Sequence, residues 1–162
     1  MSLTPPVPPR RGERPHTTPS NPHTQLDQQP ADSAIRDALA RRVFAWPDVE
    51  ERPSLISVPG ARALWLRDNV PPGPVEAFMR EREFAHLHPG SDHSLHACLP
   101  LDLAQDAIAA GWAELHPVAL RGLIPRTAVM LYAPRDLDEM EIVYQLLLAS
   151  YHFAGGRRDL SA

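Results

Sequence analysis

Half of the histidines in this 162-residue chain lie in one short segment. His86, His88, His93 and His96 fall within eleven positions, around the turn sequence Pro-Gly-Ser-Asp. Imidazole is the side chain that most readily binds metals, transfers protons or polarises an oxygen near neutral pH. The clustering therefore predicts a functional site at this turn.

The segment is predicted to be a hairpin, with strands at residues 83–88 and 94–99. Strand side chains alternate between the two faces, so His86 and His88 share one face. If residues 89–92 form the whole loop, His96 points to the opposite face. If His93 also belongs to the loop, His86 faces His96 and three imidazoles share one face. The sequence leaves both registers open and favours the second, which turns Leu95 and its neighbour Ala97 towards a core.

The shared face has three interpretations. His86, His88 and His96 could bind zinc or iron through neutral imidazoles. One histidine could instead act as an acid or base, oriented by a carboxylate or a second histidine. The third interpretation is a polar hairpin whose imidazoles bond to the backbone. No His-Glu-x-x-His motif supports the metal interpretation.

Other side chains are weaker candidates. His116 follows Glu114 in a predicted strand at residues 112–116 and could complete the site. Arg135, before the last helix, suits a carboxylate or enolate oxygen of a ligand. Trp112 is more typical of a core residue than of a binding platform. Cys98 is predicted to be a small buried residue. His16 and His23 lie outside the predicted domain and are assigned no role.

Composition excludes several functions. The net charge is −4 with acids and bases interspersed, so no basic surface for nucleic acid is expected. A single cysteine excludes an internal disulfide. All sixteen basic residues are arginine, which excludes lysine Schiff-base chemistry, pyridoxal phosphate attachment and a P-loop.

The chain is predicted to have three parts. Residues 1–30 are proline-rich and poor in aliphatic side chains, which predicts a disordered leader. Residues 31–156 are long enough for one hydrophobic core, and residues 157–162 are a flexible tail. No segment has the apolar length of a signal peptide or a membrane span. We therefore expect a soluble, cytoplasmic protein with no membrane partner.

The predicted domain is of the α+β class. Helices are expected at residues 33–45, 101–110 and 136–154, and a helical turn at 75–79. In addition to the hairpin, strands are expected at residues 55–58, 63–67, 112–116 and 127–132. Asp136 and Glu139 form a capping pattern for the last helix, and the Gly155-Gly156 pair ends it. This order predicts a single, mainly antiparallel sheet with helices on one face.

The chain resembles the luciferase-domain family, which includes the fungal luciferases of the hispidin pathway. The resemblance covers residues 80–154, about half of the chain, and rests on five landmarks in order. They are His-x-His at 86–88, Ser-Leu-His at 94–96, Gly-Trp at 111–112, His-Pro at 116–117, and Leu-Tyr-Ala-Pro-Arg at 131–135.

The resemblance implies that a hydroxylated pyrone reacts with molecular oxygen through a cyclic peroxide that loses carbon dioxide. No organic cofactor is implied. It also implies that the catalytic residues, which deprotonate the enol and stabilise the peroxide and carboxylate oxygens, are His86, His88, His96 and His116. The residues expected to contact the substrate are Ser94, Trp112, Tyr132 and Arg135.

The hairpin loop departs from the fungal pattern at Pro89, Gly90 and Ser91. A different substrate is therefore expected, and light emission is not. The leading hypothesis is a cofactor-independent oxygenase of a small enolisable or hydroxypyrone-like molecule. The alternatives are a non-catalytic module that binds a small molecule or a divalent metal, and a structural domain that binds a protein partner through the leader.

Overall fold

The computed structural model describes residues 7–160, which form one antiparallel sheet with helices. The strands are β1 (Val49–Pro53), β2 (Arg62–Leu66), β3 (Glu83–Leu87), β4 (Leu95–Cys98), β5 (Ala113–Leu115) and β6 (Ala128–Leu131). They lie in the order β1-β2-β3-β4-β6-β5, and neighbouring strands are antiparallel. This arrangement confirms the predicted α+β class.

The main helices pack on one face of this sheet. The helices are α1 (Ala34–Val43), α2 (Leu101–Ala109), α3 (Pro117–Leu120) and α4 (Leu137–Ala154), with a 3-10 turn at Val75–Ala77. The longest helix, α4, contacts α1, β3 and β4. Its Leu147 is buried in one core with Leu87 and Leu95 of the sheet. Burial of each such leucine stabilises the fold by roughly 1.5–3 kcal/mol.

Both predicted ends of α4 are confirmed. The Asp136 carboxylate accepts a hydrogen bond from the Glu139 backbone N–H, at 2.9 Å. At the other end, Gly155 adopts a left-handed conformation with φ +117°. A side chain at this position would collide with the backbone, because a Cβ atom would lie 2.6 Å from the Pro71 carbonyl oxygen.

The hairpin adopts the second of the two predicted registers. His86 pairs with His96, and Leu87 pairs with Leu95. His93 belongs to the connecting loop, and the His88 backbone N–H donates to the carbonyl of Ser94. Leu87 and Leu95 point into the core, which leaves the imidazoles on the face opposite the helices.

Residues 55–58 do not form the predicted strand. The first strand is instead β1, which pairs with β2 at the edge of the sheet. The segment after β1 is held as a turn by side-chain bonds, since Glu83 accepts hydrogen bonds from the Ser54 hydroxyl and the Leu55 N–H. The sequence of this edge strand is Val-Glu-Glu-Arg-Pro. Because three of its five residues are charged, it lacks the apolar alternation by which strands are predicted.

The described part of the leader, residues 7–30, is packed against the domain rather than disordered. The backbone N–H of Arg10 donates a hydrogen bond to the Ala110 carbonyl of the domain at 2.9 Å. The Arg14 guanidinium donates to the Ala113 carbonyl at 2.8 Å. Gln25 accepts from the Ala133 N–H at 2.9 Å. Besides the buried side chain of Val7, specific polar bonds hold this segment in place, and composition alone does not reveal them. Residues 1–6 lie outside the described residues.

The predicted flexible tail also has a contact. The Arg157 guanidinium binds the buried carboxylate of Asp48 at 2.8 Å, and residues 161–162 lie outside the described residues. Among the described helices, none is both apolar enough and long enough to cross a bilayer.

Candidate active site

Adjacent strands place polar side chains in one row on the sheet face opposite the helices. His86 of β3 pairs with His96 of β4, and His96 pairs with Met130 of β6. Met130 in turn pairs with Glu114 of β5. Paired residues project to the same side, and His88 follows His86 by two positions. The row therefore brings the hairpin histidines and Glu114 to one face.

Three of these imidazoles converge on one point. His86, His88 and His96 are 1%, 5% and 2% exposed. Nδ1 of His96 lies 3.0 Å from Nε2 of His86 and 2.9 Å from Nε2 of His88. The sequence prediction of three imidazoles on one face is therefore confirmed, and their ring nitrogens are in direct contact.

A β-bulge places Glu83 beside His86. Residues three apart in a regular strand point to opposite faces. In β3, however, Ala85 pairs with Leu64 whereas Glu83 pairs with Trp65, so one extra residue lies between them. The bulge turns the Glu83 carboxylate to the histidine face, where Oε2 lies 2.8 Å from Nδ1 of His86. Glu83 is fully buried, and sequence alternation gives no sign of this contact.

The hairpin loop provides acceptors for His88. Nδ1 of His88 lies 3.0 Å from the Ser94 hydroxyl oxygen and 3.1 Å from Oδ2 of Asp92. The Ser94 hydroxyl donates to Oδ1 of Asp92 at 2.7 Å. Burial alone would raise the pKa of Asp92, but the hydrogen bonds from His88 and Ser94 outweigh it and lower that pKa. Asp92 therefore remains an acceptor.

The leader contributes a further histidine, His23, to which the sequence pattern assigns no role. Nδ1 of His23 lies 2.9 Å from Nε2 of His96, and its Nε2 lies 2.7 Å from the Glu114 carboxylate. The His23 side chain is fully buried. No periodic pattern marks this residue, because the leader around it forms neither a helix nor a long strand.

Glu114 connects the leader to the site. Its carboxylate accepts hydrogen bonds from the Thr17 hydroxyl at 2.8 Å and from the Tyr132 hydroxyl at 2.9 Å. Burial alone would raise the pKa of Glu114, but its bonds to His23, Thr17 and Tyr132 outweigh that effect and lower the pKa. The ionised carboxylate fixes the orientation of His23.

His116 lies next to His96 at the start of α3. Its ring centroid is 4.3 Å from that of His96. Nδ1 of His116 accepts a hydrogen bond from the Val118 N–H at 3.0 Å and thereby caps the helix. Burial, followed by the nearby imidazoles, lowers the pKa of His116 to about 3. The ring is therefore neutral at pH 7.

Burial also keeps two of the converging histidines uncharged. It lowers the pKa of His96 well below the usual value, and the neighbouring imidazoles add to the effect. Burial lowers the pKa of His86 as well and outweighs the opposing effect of Glu83. Neutral imidazoles can bind a metal or accept a proton.

The histidines line a cavity of about 380 Å³. Its walls are the leader at residues 21–24, the turn at 56–58, the hairpin loop and the imidazoles of His86, His88, His96 and His116. The cavity therefore opens directly onto the imidazole cluster.

The structure separates the four residues expected to contact a substrate. Ser94 lies behind His88, as its hydrogen-bond partner. Tyr132 binds Glu114 and does not line the cavity. Trp112 is buried in the helix-side core, where its indole N–H donates to the Pro8 carbonyl. Arg135 is held by Glu139 at 2.5 Å. Neither Trp112 nor Arg135 lines the cavity, since each side chain is engaged elsewhere.

Comparison with known proteins supports the predicted family. Residues 81–150 match the protein-family model described as "Luciferase domain". The "Luciferase" of Armillaria ostoyae is 30% identical over 162 residues, covering 90% of this chain and 60% of the relative. The "Luciferase" of Armillaria mellea is 29% identical with the same coverage. That of Neonothopanus nambi is 30% identical over 99 residues, covering 56% of this chain and 37% of the relative.

These matches confirm the predicted resemblance to the luciferase-domain family, which residues 81–150 match. The hairpin, His116 and most of α4 lie inside the matched region, whereas His23 precedes it. No solved structure gives a significant match. The chain spans 60% of the length of the Armillaria relatives, so the activity of those whole proteins is here a matter for proposal.

Proposed function

We propose that this chain is a luciferase-like oxygenase that acts with molecular oxygen on a small, enolisable molecule of the hydroxypyrone type. The observation that carries the proposal is the cluster of buried imidazoles that lines a cavity of about 380 Å³. A cavity of this size suits a molecule of one or two rings. The family match of residues 81–150 supports the same class of reaction.

His116 supplies a fixed hydrogen-bond donor in this proposal. Its Nδ1 accepts from the Val118 N–H, so the proton of the neutral ring is on Nε2. Since His116 lines the cavity, this N–H can donate to a substrate oxygen that becomes negatively charged. A preorganised donor at such an oxygen stabilises the transition state.

The hairpin histidines stabilise the enolate form of the substrate. The nitrogens of His86, His88 and His96 bring lone pairs to the cavity wall, where they favour loss of the enol proton. The enolate then reacts with molecular oxygen. Overall, one substrate and one O2 give one oxidised product and one CO2. Both oxygen atoms enter the products as the substrate is oxidised and O2 is reduced, and the proton returns to a product oxygen.

The proposal includes no organic cofactor and no nucleic-acid or membrane partner. The proposed ligand is a small molecule, and the proposed location is the cytoplasm. The alternative, a non-catalytic module that holds a small molecule in the same cavity, becomes one outcome of the test.

The test measures oxygen consumption and CO2 release by the full chain with a panel of hydroxypyrones. We expect His116→Ala to lower kcat by about 10–100-fold, because it removes a donor to the developing charge. His152→Ala, on α4 and away from the cavity, is the control and should keep full activity. Circular dichroism checks that both variants are folded. Tight binding of a hydroxypyrone without oxygen consumption would contradict the proposal and favour the binding module.

A further inference from the structure

Each of the three converging histidines has one ring nitrogen at the point where they meet and one, here called the outer nitrogen, that points away from it. The outer nitrogen of His86 is hydrogen-bonded to a carboxylate. Nδ1 of His86 lies 2.8 Å from Oε2 of Glu83. Glu83 also accepts from the Ser54 hydroxyl at 2.7 Å and from the Leu55 N–H at 2.8 Å. Each carboxylate oxygen of Glu83 thus already acts as an acceptor, Oε2 towards Ser54 and Oε1 towards Leu55, so Nδ1 of His86 is the donor in its bond to Glu83. In the neutral ring, Nε2 of His86 therefore carries a lone pair and no proton.

The outer nitrogen of His88 is committed in the same way. It lies 3.0 Å from the Ser94 hydroxyl and 3.1 Å from Asp92. The hydrogen of the Ser94 hydroxyl is used in the bond to Asp92, so this oxygen is available to His88 as an acceptor. Nδ1 of His88 is consequently a donor, and in the neutral ring Nε2 carries the lone pair.

The outer nitrogen of His96 is fixed through the leader. Nε2 of His23 donates to Glu114, which in the neutral ring leaves Nδ1 of His23 as an acceptor. Nδ1 of His23 lies 2.9 Å from Nε2 of His96, so His96 donates this bond. The proton of neutral His96 is therefore on Nε2, and Nδ1 carries the lone pair.

With all of these rings neutral, three lone pairs meet with no proton between them. They are on Nε2 of His86, Nε2 of His88 and Nδ1 of His96, with separations from His96 of 3.0 and 2.9 Å. Acceptors this close in a buried site repel one another unless a cation lies between them. All three side chains are buried, so water does not screen this repulsion.

The spacing matches that of ligands around one metal ion. Nitrogens bound at 2.0–2.1 Å are about 3.3 Å apart in a tetrahedron and about 2.9 Å apart at neighbouring corners of an octahedron. Metal-bound histidines characteristically donate their outer N–H to a carboxylate or another acceptor, and all three do so here. Imidazole ligands suit zinc, iron, copper and nickel.

We propose that His86, His88 and His96 bind one divalent first-row transition-metal ion. Glu83, Asp92 and the His23–Glu114 pair are positioning groups that fix the three ligand tautomers. The remaining coordination positions face the cavity, where an anionic substrate oxygen can reach the ion. In the metal-bound chain the ion, rather than the three lone pairs, would favour loss of the enol proton. This catalytic use rests on the proposed oxygenase function, whereas binding of the ion does not.

A second set of three histidines, His23, His96 and His116, also lies close together. It fits an ion less well, because Nδ1 of His116 accepts from the Val118 N–H and the ring proton is on Nε2. In this set, moreover, the Nε2 of His96 already donates to His23. The two sets make different predictions, since only the second loses a ligand in His116→Ala.

The test uses the full chain after treatment with a chelator and follows Zn²⁺ binding by titration calorimetry. We expect one ion per chain and an increase in Tm on binding. His96→Ala should weaken binding by more than about 100-fold, and Glu83→Gln by about 10–100-fold. His93→Ala removes a histidine from the same hairpin that does not line the cavity, so it should bind as the wild type does.

Cobalt provides a second measurement that does not depend on stability. Co²⁺ bound to imidazoles has visible absorption bands, which should be present in wild type and in His116→Ala and absent in a folded His86→Gln variant. No stoichiometric ion in the wild-type chain, or equal weakening in His93→Ala and His96→Ala, would overturn the inference. Loss of binding in His116→Ala but not in His86→Gln would assign the ion to the second set instead.

The two proposals fail separately. Stoichiometric metal binding without oxygen consumption would contradict only the oxygenase. Undiminished oxygen consumption by the metal-free chain would contradict only a role for the ion in the reaction, and the absence of any bound ion would contradict the site itself.

Discussion

The imidazole of His23 lies 2.9 Å from that of His96, although the two residues are 73 positions apart in the chain. This contact makes the leader part of the candidate site. His23 is in turn hydrogen-bonded to Glu114, a carboxylate that does not line the cavity. Through His23, Glu114 determines which ring nitrogen of His96 carries the proton. The leader is therefore linked to the hairpin by hydrogen bonds.

We expect His23→Ala to affect both binding and stability. Without His23, the Nε2 donor of His96 loses its acceptor in a buried site, which costs about 1–3 kcal/mol of unfolding free energy. Zn²⁺ affinity should fall by about 10-fold, since the tautomer of His96 is no longer fixed. Urea unfolding and titration calorimetry measure the two effects. His16→Ala is the matched control, because the His16 side chain is exposed in the same leader and its contact within the described residues is with the Asp27 carboxylate. Equal effects of the two substitutions would contradict the coupling.

We expect slow amide hydrogen exchange within the leader. The Arg10 N–H donates to Ala110, the Leu26 N–H donates to His16, and the Thr18 N–H donates to Thr24. A disordered segment would exchange at the rate of the unfolded chain, whereas bonded and packed amides exchange on opening only. Exchange measured by mass spectrometry should be slowed by more than about 100-fold for the Arg10 and Leu26 amides. Rates equal to those of the urea-unfolded chain would restore the prediction of a disordered leader.

The hairpin and the last helix are the parts of the site and fold that local sequence patterns predict. The period-two pattern of the hairpin is enough to place His86 and His88 together, and the apolar Leu95 and Ala97 favour the register that brings His96 to the same face. Local rules of this kind depend on residues near each other in the chain. The last helix is predicted for the same reason, from its Asp136 cap and its glycine end.

The rest of the site depends on contacts that no local pattern encodes. Glu83 reaches His86 because a bulge inverts the alternation of β3, and the bulge arises from pairing with β2. His23 reaches His96 because polar groups hold the leader against β5 and against Ala133, which follows β6. Arginine is a residue type that commonly binds anionic ligands. In the fold, however, the guanidinium of Arg135 is bound by the carboxylate of Glu139. These outcomes are decided by tertiary structure.

Acid should weaken the junction between the leader and α4, where the Glu139 carboxylate accepts from the guanidinium of Arg11 in the leader at 3.3 Å. Burial alone would raise the pKa of Glu139, but hydrogen bonds from Arg135 outweigh it and lower the pKa to about 2. Because the folded pKa lies below the unfolded one of 4.5, the contribution is complete above pH 4.5 and is lost as the pH falls towards 2.

Urea unfolding of wild type and Glu139→Gln over this pH range tests the effect. The unfolding free energies of the two proteins should differ by about 1–2 kcal/mol at pH 7, since nearby solvent screens part of the ion-pair energy. This difference should shrink below pH 4.5. Glu141→Gln, which breaks an exposed ion pair with Arg42, should change stability by roughly 0–0.5 kcal/mol. A Glu139→Gln difference that stays constant between pH 7 and pH 2 would contradict the assignment.

Cys98 should be unreactive in the folded protein. Burial raises the pKa of its thiol to about 12, and the side chain has no exposed surface. Only the thiolate reacts with disulfide reagents. We therefore expect labelling at pH 8 to be more than about 100-fold slower in the native protein than in urea. Rapid labelling of one thiol per native chain would show that the strand β4 opens readily.

Gly155→Ala should destabilise the protein more than Gly90→Ala does. Both glycines have positive φ, at +117° and +70°, so each substitution carries the cost of a left-handed alanine, about 1 kcal/mol. A Cβ atom at Gly155 would also lie 2.6 Å from the Pro71 carbonyl oxygen, whereas nothing lies within 4 Å of one at Gly90. The backbone must move to relieve the first collision, so the total cost at Gly155 should be about 2–4 kcal/mol. Urea unfolding measures both, and equal losses would mean that the end of α4 can shift freely away from Pro71.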